Sequence, residues 1–227
     1  MYCFNATTGD RIWDLNGGWS GAAFSDGYMA ALNYYDGLVY GIGKGPSAVT
    51  VAASPKISVQ GSSVMLEGMV TDESAGTRNN RIAPRFPNGV PAVSDESMTA
   101  WMEYVYMQKP KPADATGVEV VISVLDPNNN YYEVGRTTSD ANGFYRMTFE
   151  PLVPGEYTVY ASFEGSGSYW PSQALTAINV EETPAATVEP TPPPASAADL
   201  YFLPVSIGLF VAIIIVGAVL ILMLRKR

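Results

Sequence analysis

Histidine is absent from the 227 residues, and cysteine occurs once, at Cys3. Without histidine the chain lacks the side chain whose proton equilibrium lies nearest neutral pH, and with it the Ser-His and Cys-His nucleophile pairs. A lone cysteine closes no disulfide within the chain, and Cys/His zinc sets are excluded as well. These gaps weigh against an enzyme. Basic residues are also scarce, 13 Lys+Arg against 22 Asp+Glu. Three of the basic residues are the last three, so everything ahead of them carries 10 − 22 = −12. So acidic a body repels phosphate backbones and argues against nucleic acid as a partner.

The C-terminal end is the reverse of scarce in apolar residues. From Leu200 to Leu224 there is no charge, and from Val205 onward nearly every side chain is aliphatic or aromatic. At about 1.5 Å per residue this run exceeds the roughly 30 Å hydrocarbon core of a bilayer. It predicts a single transmembrane helix over 200–224, with Tyr201 and Phe202 in the outer interfacial belt and residues 225–227 as a cytoplasmic basic tail. Membrane lipid is therefore the first expected partner, and the N-terminal bulk is expected outside the cell. A tail-anchored protein with a cytoplasmic body is the alternative, opposed by the positive-inside bias. The opening "MYCFNATTGD" has no basic n-region, no apolar core and no cleavage site. An exported chain would then be expected to be the C-terminal piece of a longer protein.

Ahead of the apolar run, residues 181–199 include "EETPAATVEPTPPPASAA", too rich in proline to assemble a core. This predicts an extended stalk whose threonines are candidate O-glycosylation sites or plain spacer.

Residues 48–180 alternate apolar and polar side chains with period two, the mark of half-buried strands. The inward rows are Val64, Leu66, Gly68 and Val70; Val118, Val120, Ile122 and Val124; Tyr145, Met147 and Phe149; and Tyr157, Val159, Ala161 and Phe163. Further strands are expected over Ala48–Ala53, Lys56–Val59, Tyr131–Thr137 and Ala174–Val180. Turns fall at "DPNNN" (Asp126 to Asn130), "DANG" (Asp140 to Gly143) and Pro154-Gly155. Short strands separated by turns predict a β-sandwich. One segment has helical spacing instead. Ser94 is the expected N-cap, Asp95 and Glu96 complement the first turn, and Met98, Trp101, Met102 and Val105 form a stripe expected to pack on the sandwich, giving a helix near 95–108. Arg78, Arg81 and Arg85 precede it as a basic patch.

Site-like patterns within this region are mostly explained by structure. Asp126, Asn128 and Asn130 occupy the first, third and fifth places of a calcium loop, but Tyr131 and Thr137 stand where its glycine and closing acid belong, so a hairpin turn is expected. Lys56, Asn179 and Glu119 suggest an intramolecular isopeptide bond. The alternation of Ile57 and Val59 against Lys56, and of Ile178 and Val180 against Asn179, turns both reactive side chains toward solvent. The adjacent acids Asp95 and Glu96 belong to a helix start and form no glycosidase-type pair.

Two stretches resemble known families. "SDANGFYRMTFEPLVPGEYTVYASF", Ser139 to Phe163, resembles the hairpin of immunoglobulin-like and carboxypeptidase-regulatory-like surface domains, which implies an Ig-like sandwich carrying a helical insertion. "CFNATTGDRIW" resembles the tryptophan-docking motif of quinoprotein-like (PQQ-type) β-propellers. Thr8, Gly9 and Trp13 match it, whereas Cys3, Asn5 and Asp10 depart from it. The resemblance implies that residues 1–47 are a partial blade, with Gly9 supplying a turn and Trp13 docking on a neighbour. A single blade cannot bury its own faces, so earlier blades or other surface proteins are expected as partners. The cofactor of that family lies in a complete ring, so no cofactor, metal or catalytic residue is assigned. Asn5-Ala6-Thr7 forms an N-glycosylation sequon.

The layout resembles archaeal membrane-anchored surface proteins with PQQ-like repeats. The expectation is a mainly β, noncatalytic scaffold, adhesion or partner-binding protein at the cell surface. The alternative is the anchoring end of an exported quinoprotein-type dehydrogenase whose chemistry lies upstream.

Overall fold

A computed structural model describes residues 1–184 and 196–226. Two compact units are present, Met1–Thr183 and Pro184–Arg227.

The first unit opens with a hairpin, β1 (Tyr2–Phe4) and β2 (Arg11–Asp14), followed by a three-stranded meander of β3 (Trp19–Ser25), β4 (Tyr28–Asn33) and β5 (Leu38–Ile42). Hairpin and meander are separate sheets, and no closed barrel or propeller forms among the described residues. The segment between them contains Gly17 and Gly18, and Asn33 Oδ1 accepts from the Gly18 N–H at 3.2 Å.

Two larger sheets follow and pack face to face. In one, β9 (Val64–Asp72) is central; it pairs on one side with β6 (Ser47–Val49) and β7 (Ala52–Ser54), and on the other with β10 (Val90–Pro91) and β13 (Phe144–Phe149). The other sheet runs, in spatial order, β12 (Tyr131–Thr138), β11 (Glu119–Leu125), β14 (Gly155–Phe163), β15 (Ser172–Glu181) and β8 (Ile57–Val59). Every pairing is antiparallel except that of β8 with β15. The predicted inward rows supply the core: Val64, Leu66, Val70, Val120, Ile122, Val124, Tyr157, Val159 and Ala161 are each at most 1% exposed. Sheet-on-sheet packing thus explains the period-two pattern directly.

The expected strand Ala48–Ala53 is split into β6 and β7. At the break, Thr50 turns its carbonyl toward Gly68, where any Cβ would collide with it, and Tyr145 Oη donates to that carbonyl at 2.5 Å. Gly68 sits on the inward row because no side chain fits there. A second difference lies in β8. Ser58, not Ile57, is buried, and Ile57 stands 63% exposed. Parallel pairing places Ile57 opposite Asn179, which also points outward. At the corner before β14, Tyr157 Oη accepts the Val153 N–H at 3.0 Å. A tyrosine reaching back across such a corner locks the connection between the two sheets.

Helix α1 (Asp95–Met107) matches the predicted span closely. Ser94 stands at its N-cap, but its side chain makes no cap bond and instead contacts Thr116 Oγ1 at 2.8 Å and Ser97 Oγ at 3.3 Å. The helix ends at Gln108, whose φ of 57° is left-handed. Its apolar stripe packs differently from the expectation. Trp101 and Val105 are buried with Ile82, Val90, Val93 and Ala115 in a satellite core of their own, and Met98 reaches both this core and the main one.

The second unit contains α2 (Ala197–Arg225), with Pro204 in its early turns. Ser206 Oγ donates to the Phe202 carbonyl at 2.6 Å and to that of Leu203 at 3.0 Å, beside the point where the proline supplies no N–H. Its Leu200–Arg225 portion, 26 residues containing an 18-residue stretch of mean hydropathy 3.2, is long and apolar enough to cross a membrane. Most of the predicted stalk (185–195) and Arg227 of the predicted basic tail lie outside the described residues.

Candidate interaction surface

The hairpin β1–β2 carries the motif residues. Asn5 Oδ1 accepts the N–H of Thr7 at 2.9 Å and of Thr8 at 3.2 Å, while the Gly9 N–H bonds to the Asn5 carbonyl at 2.8 Å. Gly9 has φ +79° with open space around it, so its turn role rests on backbone conformation rather than on a close neighbour. Thr8 Oγ1 receives the Asp10 N–H at 3.4 Å. Asn5 and Thr7 of the sequon are exposed. Trp13 pairs across the hairpin with Cys3 and is only half-buried. On the other face Tyr2, Phe4 and Ile12 are 56 to 64% exposed, with the Tyr2 and Phe4 rings 6.2 Å apart.

The meander is apolar on both faces. Cross-strand register puts Phe24, Met29 and Ile42 together on one side, next to Ala22, Ala31 and Tyr40. Tyr28, Ala30, Leu32 and Val39 lie on the other. Phe24 is 74% and Val39 70% exposed, so each side leaves a large apolar side chain uncovered. Its turn is nevertheless well ordered by polar bonds. Asp36 accepts from Tyr40 Oη at 2.5 Å and from the Leu38 N–H at 3.0 Å. Burial and this carboxylate together push the Tyr40 hydroxyl up to about 12. Desolvation pushes Asp36 upward, but the bonds from Tyr40 and Leu38 together outweigh it and hold the carboxyl below its ordinary value.

Elsewhere the acids are held by arginines, hydroxyls or backbone N–H groups. A shallow cleft of about 240 Å³ near the start of α1 is lined in part by Asp95, Glu96, Glu119 and Glu164. Asp95 accepts from Ser166 Oγ at 2.9 Å and from the N–H groups of Gly167 at 2.8 Å and Ser168 at 3.0 Å, tying α1 to the β14–β15 loop. Its partial burial would raise the carboxyl, yet these bonds keep it below its ordinary value. Arg136 takes Glu119 at 2.7 Å, Glu133 at 3.0 Å and Glu164 at 3.6 Å. Asp72 is 3% exposed beside Tyr106 and Tyr169, and its burial raises its carboxyl despite a bond from the Ser74 N–H at 2.8 Å.

The three arginines of the predicted patch disperse. Arg78 pairs with Glu73 at 3.5 Å, whereas Arg85 donates to the carbonyls of Val105 and Tyr104 at 3.0 and 3.1 Å, capping α1. Arg81 contributes to the field at Asp36. Asp126 closes the "DPNNN" turn by accepting from the N–H groups of Asn128 and Asn130, both at 2.8 Å. Lys56 and Asn179 meet through a backbone bond only, with exposed side chains, and Glu119 is held by Arg136. Among the described residues no group of three or more His, Cys, Asp or Glu gathers as a metal site. Sequence reading missed the Arg85 cap and the Asp95 tie, because both join residues far apart in the chain.

No family model matches this chain, and no curated protein matches it. Solved structures are similar only loosely. Spo0M, the sporulation control protein from Bacillus subtilis, aligns over 62% of this chain and 51% of its own at 12% identity and TM-score 0.32. The Yersinia pseudotuberculosis adhesin InvE aligns over 73% of this chain and 46% of its own at 11% identity and TM-score 0.34. This chain therefore spans about half the length of each. Likenesses this loose carry no argument about fold or activity.

Proposed function

We propose that this chain is a noncatalytic surface scaffold, held in the cell membrane by α2 and presenting its β-rich unit outside the cell for adhesion or partner binding. The observation that carries the reading is the Leu200–Arg225 helix, apolar enough to span and closed by Arg225 and Lys226 on what is then the cytoplasmic side. The sheet order and the Tyr157 corner support an immunoglobulin-like sandwich as the displayed module. The doubly apolar meander and the half-covered Trp13 support the N-terminal strands as part of a propeller blade that packs between neighbouring blades, with Thr8, Gly9 and Trp13 as its docking residues. Asn5 is the expected glycosylation site on that face.

Membrane fractionation combined with protease shaving of intact cells tests the topology. The chain should pellet with membranes, resist alkaline extraction and lose its β-rich unit to external protease. Recovery in the aqueous fraction without detergent refutes the anchor, and protection from protease while a known surface marker is cut refutes the outward orientation.

A further inference from the structure

The first and last segments of the sandwich run side by side in the same direction. Gly45 and Tyr169 form a parallel bridge, in which the Gly45 N–H bonds to the Ser168 carbonyl at 2.9 Å and the Trp170 N–H to the Gly45 carbonyl at 2.8 Å. Ser47 Oγ donates to the Trp170 carbonyl at 2.7 Å and lies 2.7 Å from Ser172 Oγ. Between these contacts and β8 the chain visits the opposite sheet as β6 and β7. It then returns, and Ile57, Ser58 and Val59 pair in parallel with Asn179, Val180 and Glu181. The Asn179 N–H bonds to the Lys56 carbonyl and the Gln60 N–H to that of Glu181, each at 2.9 Å, and Thr183 Oγ1 reaches the Gln60 carbonyl at 3.3 Å.

This arrangement fixes how tension would act. The chain enters the seam at Gly45 and leaves it at Thr183, at opposite ends of two parallel segments. A pull between those ends slides one segment past the other, so bonds along the whole seam bear load together. Antiparallel neighbours such as β14 and β15 behave differently when pulled at their adjacent ends, Gly155 and Val180, because they open one rung at a time. We propose that the sandwich is a load-bearing link, built to withstand tension between a partner held at the N-terminal strands and the C-terminal anchor. The physiological direction of pull rests on the anchored-scaffold reading; the resistance itself is a property of the seam.

Single-molecule pulling of the full-length chain in detergent tests this, with handles on exposed positions in a C3S background. Handles at G41C and P184C load the seam in shear, and a cysteine at Gly41 meets nothing within 4 Å. Handles at L152C and P184C peel β15 from β14; Leu152 is 68% exposed. At equal loading rate the shear geometry should rupture at about twice the peeling force or more, since several bonds share the load instead of one. The S47A variant removes the side-chain bonds to the Trp170 carbonyl and Ser172 Oγ, at the end of the seam away from both peeling handles, while leaving the ladders intact, and it should lower the shear force without changing the peeling force. Equal forces in the two geometries, or a shear force unmoved by S47A, overturn the inference. Neither readout depends on cellular location, so a failed membrane assay would remove the anchor and leave this result standing.

Discussion

Trp101 offers a quantitative check on the satellite core. The side chain is 0% exposed, with the rings of Tyr104 and Phe86 at 5.4 and 6.4 Å and Lys111 Nζ 5.7 Å above it. Its indole N–H is the one buried side-chain polar group without a hydrogen-bond partner among the described residues. Two opposing contributions follow from that geometry. Truncation to alanine empties the centre of the cluster and should cost about 3–5 kcal/mol. Phenylalanine refills most of the space, leaving a residual void that costs about 1 kcal/mol. It also removes an unpaired buried donor, whose desolvation penalty is about 1–3 kcal/mol. Trp101→Phe should therefore be neutral within about 1 kcal/mol or mildly stabilising, while Trp101→Ala is strongly destabilising. Urea unfolding of the full chain in mild detergent, followed by circular dichroism, separates the two variants. A Trp101→Phe loss comparable to that of Trp101→Ala would refute the reasoning, because it would mean the indole N–H is satisfied and contributes to the fold.

Three further outcomes are expected. Asp95→Ala should cost about 1–2 kcal/mol at neutral pH, the hydrogen-bond value being discounted for partial exposure of the carboxylate. Because the folded carboxyl lies below its ordinary 3.8, this contribution is present above that pH and fades as the pH falls through the folded value, so variant and parent should converge in acid urea titrations. Asp72 has the opposite sign. Its folded carboxyl is raised, so its contribution to stability is fully present below 3.8 and lost as pH rises through the folded value. Asp72→Asn should accordingly stabilise at neutral pH and lose that advantage in acid; an unchanged or lowered neutral-pH midpoint would contradict it. Tyr157→Phe removes the acceptor of the Val153 N–H and should cost about 1–2 kcal/mol in chemical denaturation, with earlier hydrogen exchange at the Val153 amide.

Legibility from sequence followed the range of the interactions. Rows such as Val118-Val120-Ile122-Val124 were readable because a strand exposes its period within a few residues, and "DANG" because the Asp140 carboxylate bonds locally to Asn142 and Phe144. The α1 span was readable for the same reason. Its packing was not, since the partners Ile82 and Ala115 lie in flanking loops and Val90 in the two-residue strand β10, all too short to show a period. The inward turn of Ser58 was hidden because parallel pairing with β15, a contact across more than a hundred residues, sets the register of β8 and overrides the apolar preference of Ile57. The arginines illustrate the same limit. Proximity in sequence predicted a patch, whereas Arg85 is drawn away by the carbonyl end of α1.

The N-terminal strands remain the segment whose local chemistry and burial disagree most. Their turns are closed by well-placed side chains, as the Asn5 and Asp36 bonds demonstrate, so the sequence specifies these strands firmly. Their burial does not match that specification. Within the meander only Ala31 and Asn33 are buried, at 1% and 3% exposure, while Phe24, Tyr28 and Val39 stand open to solvent. A few strands with so little of either face covered are marginal by themselves. Covering one large apolar side chain gains about 1.5–3 kcal/mol, so seating a partner on either side of the meander would change its stability severalfold more than any single hydrogen bond within it. Substituting Phe24 or Val39 by threonine should thus leave the unfolding of the isolated chain nearly unchanged, whereas a comparable change in the sandwich core at Val159 should be severe. If both changes proved equally costly, the meander would already be covered from within the chain, and the case for an external partner on its faces would fail.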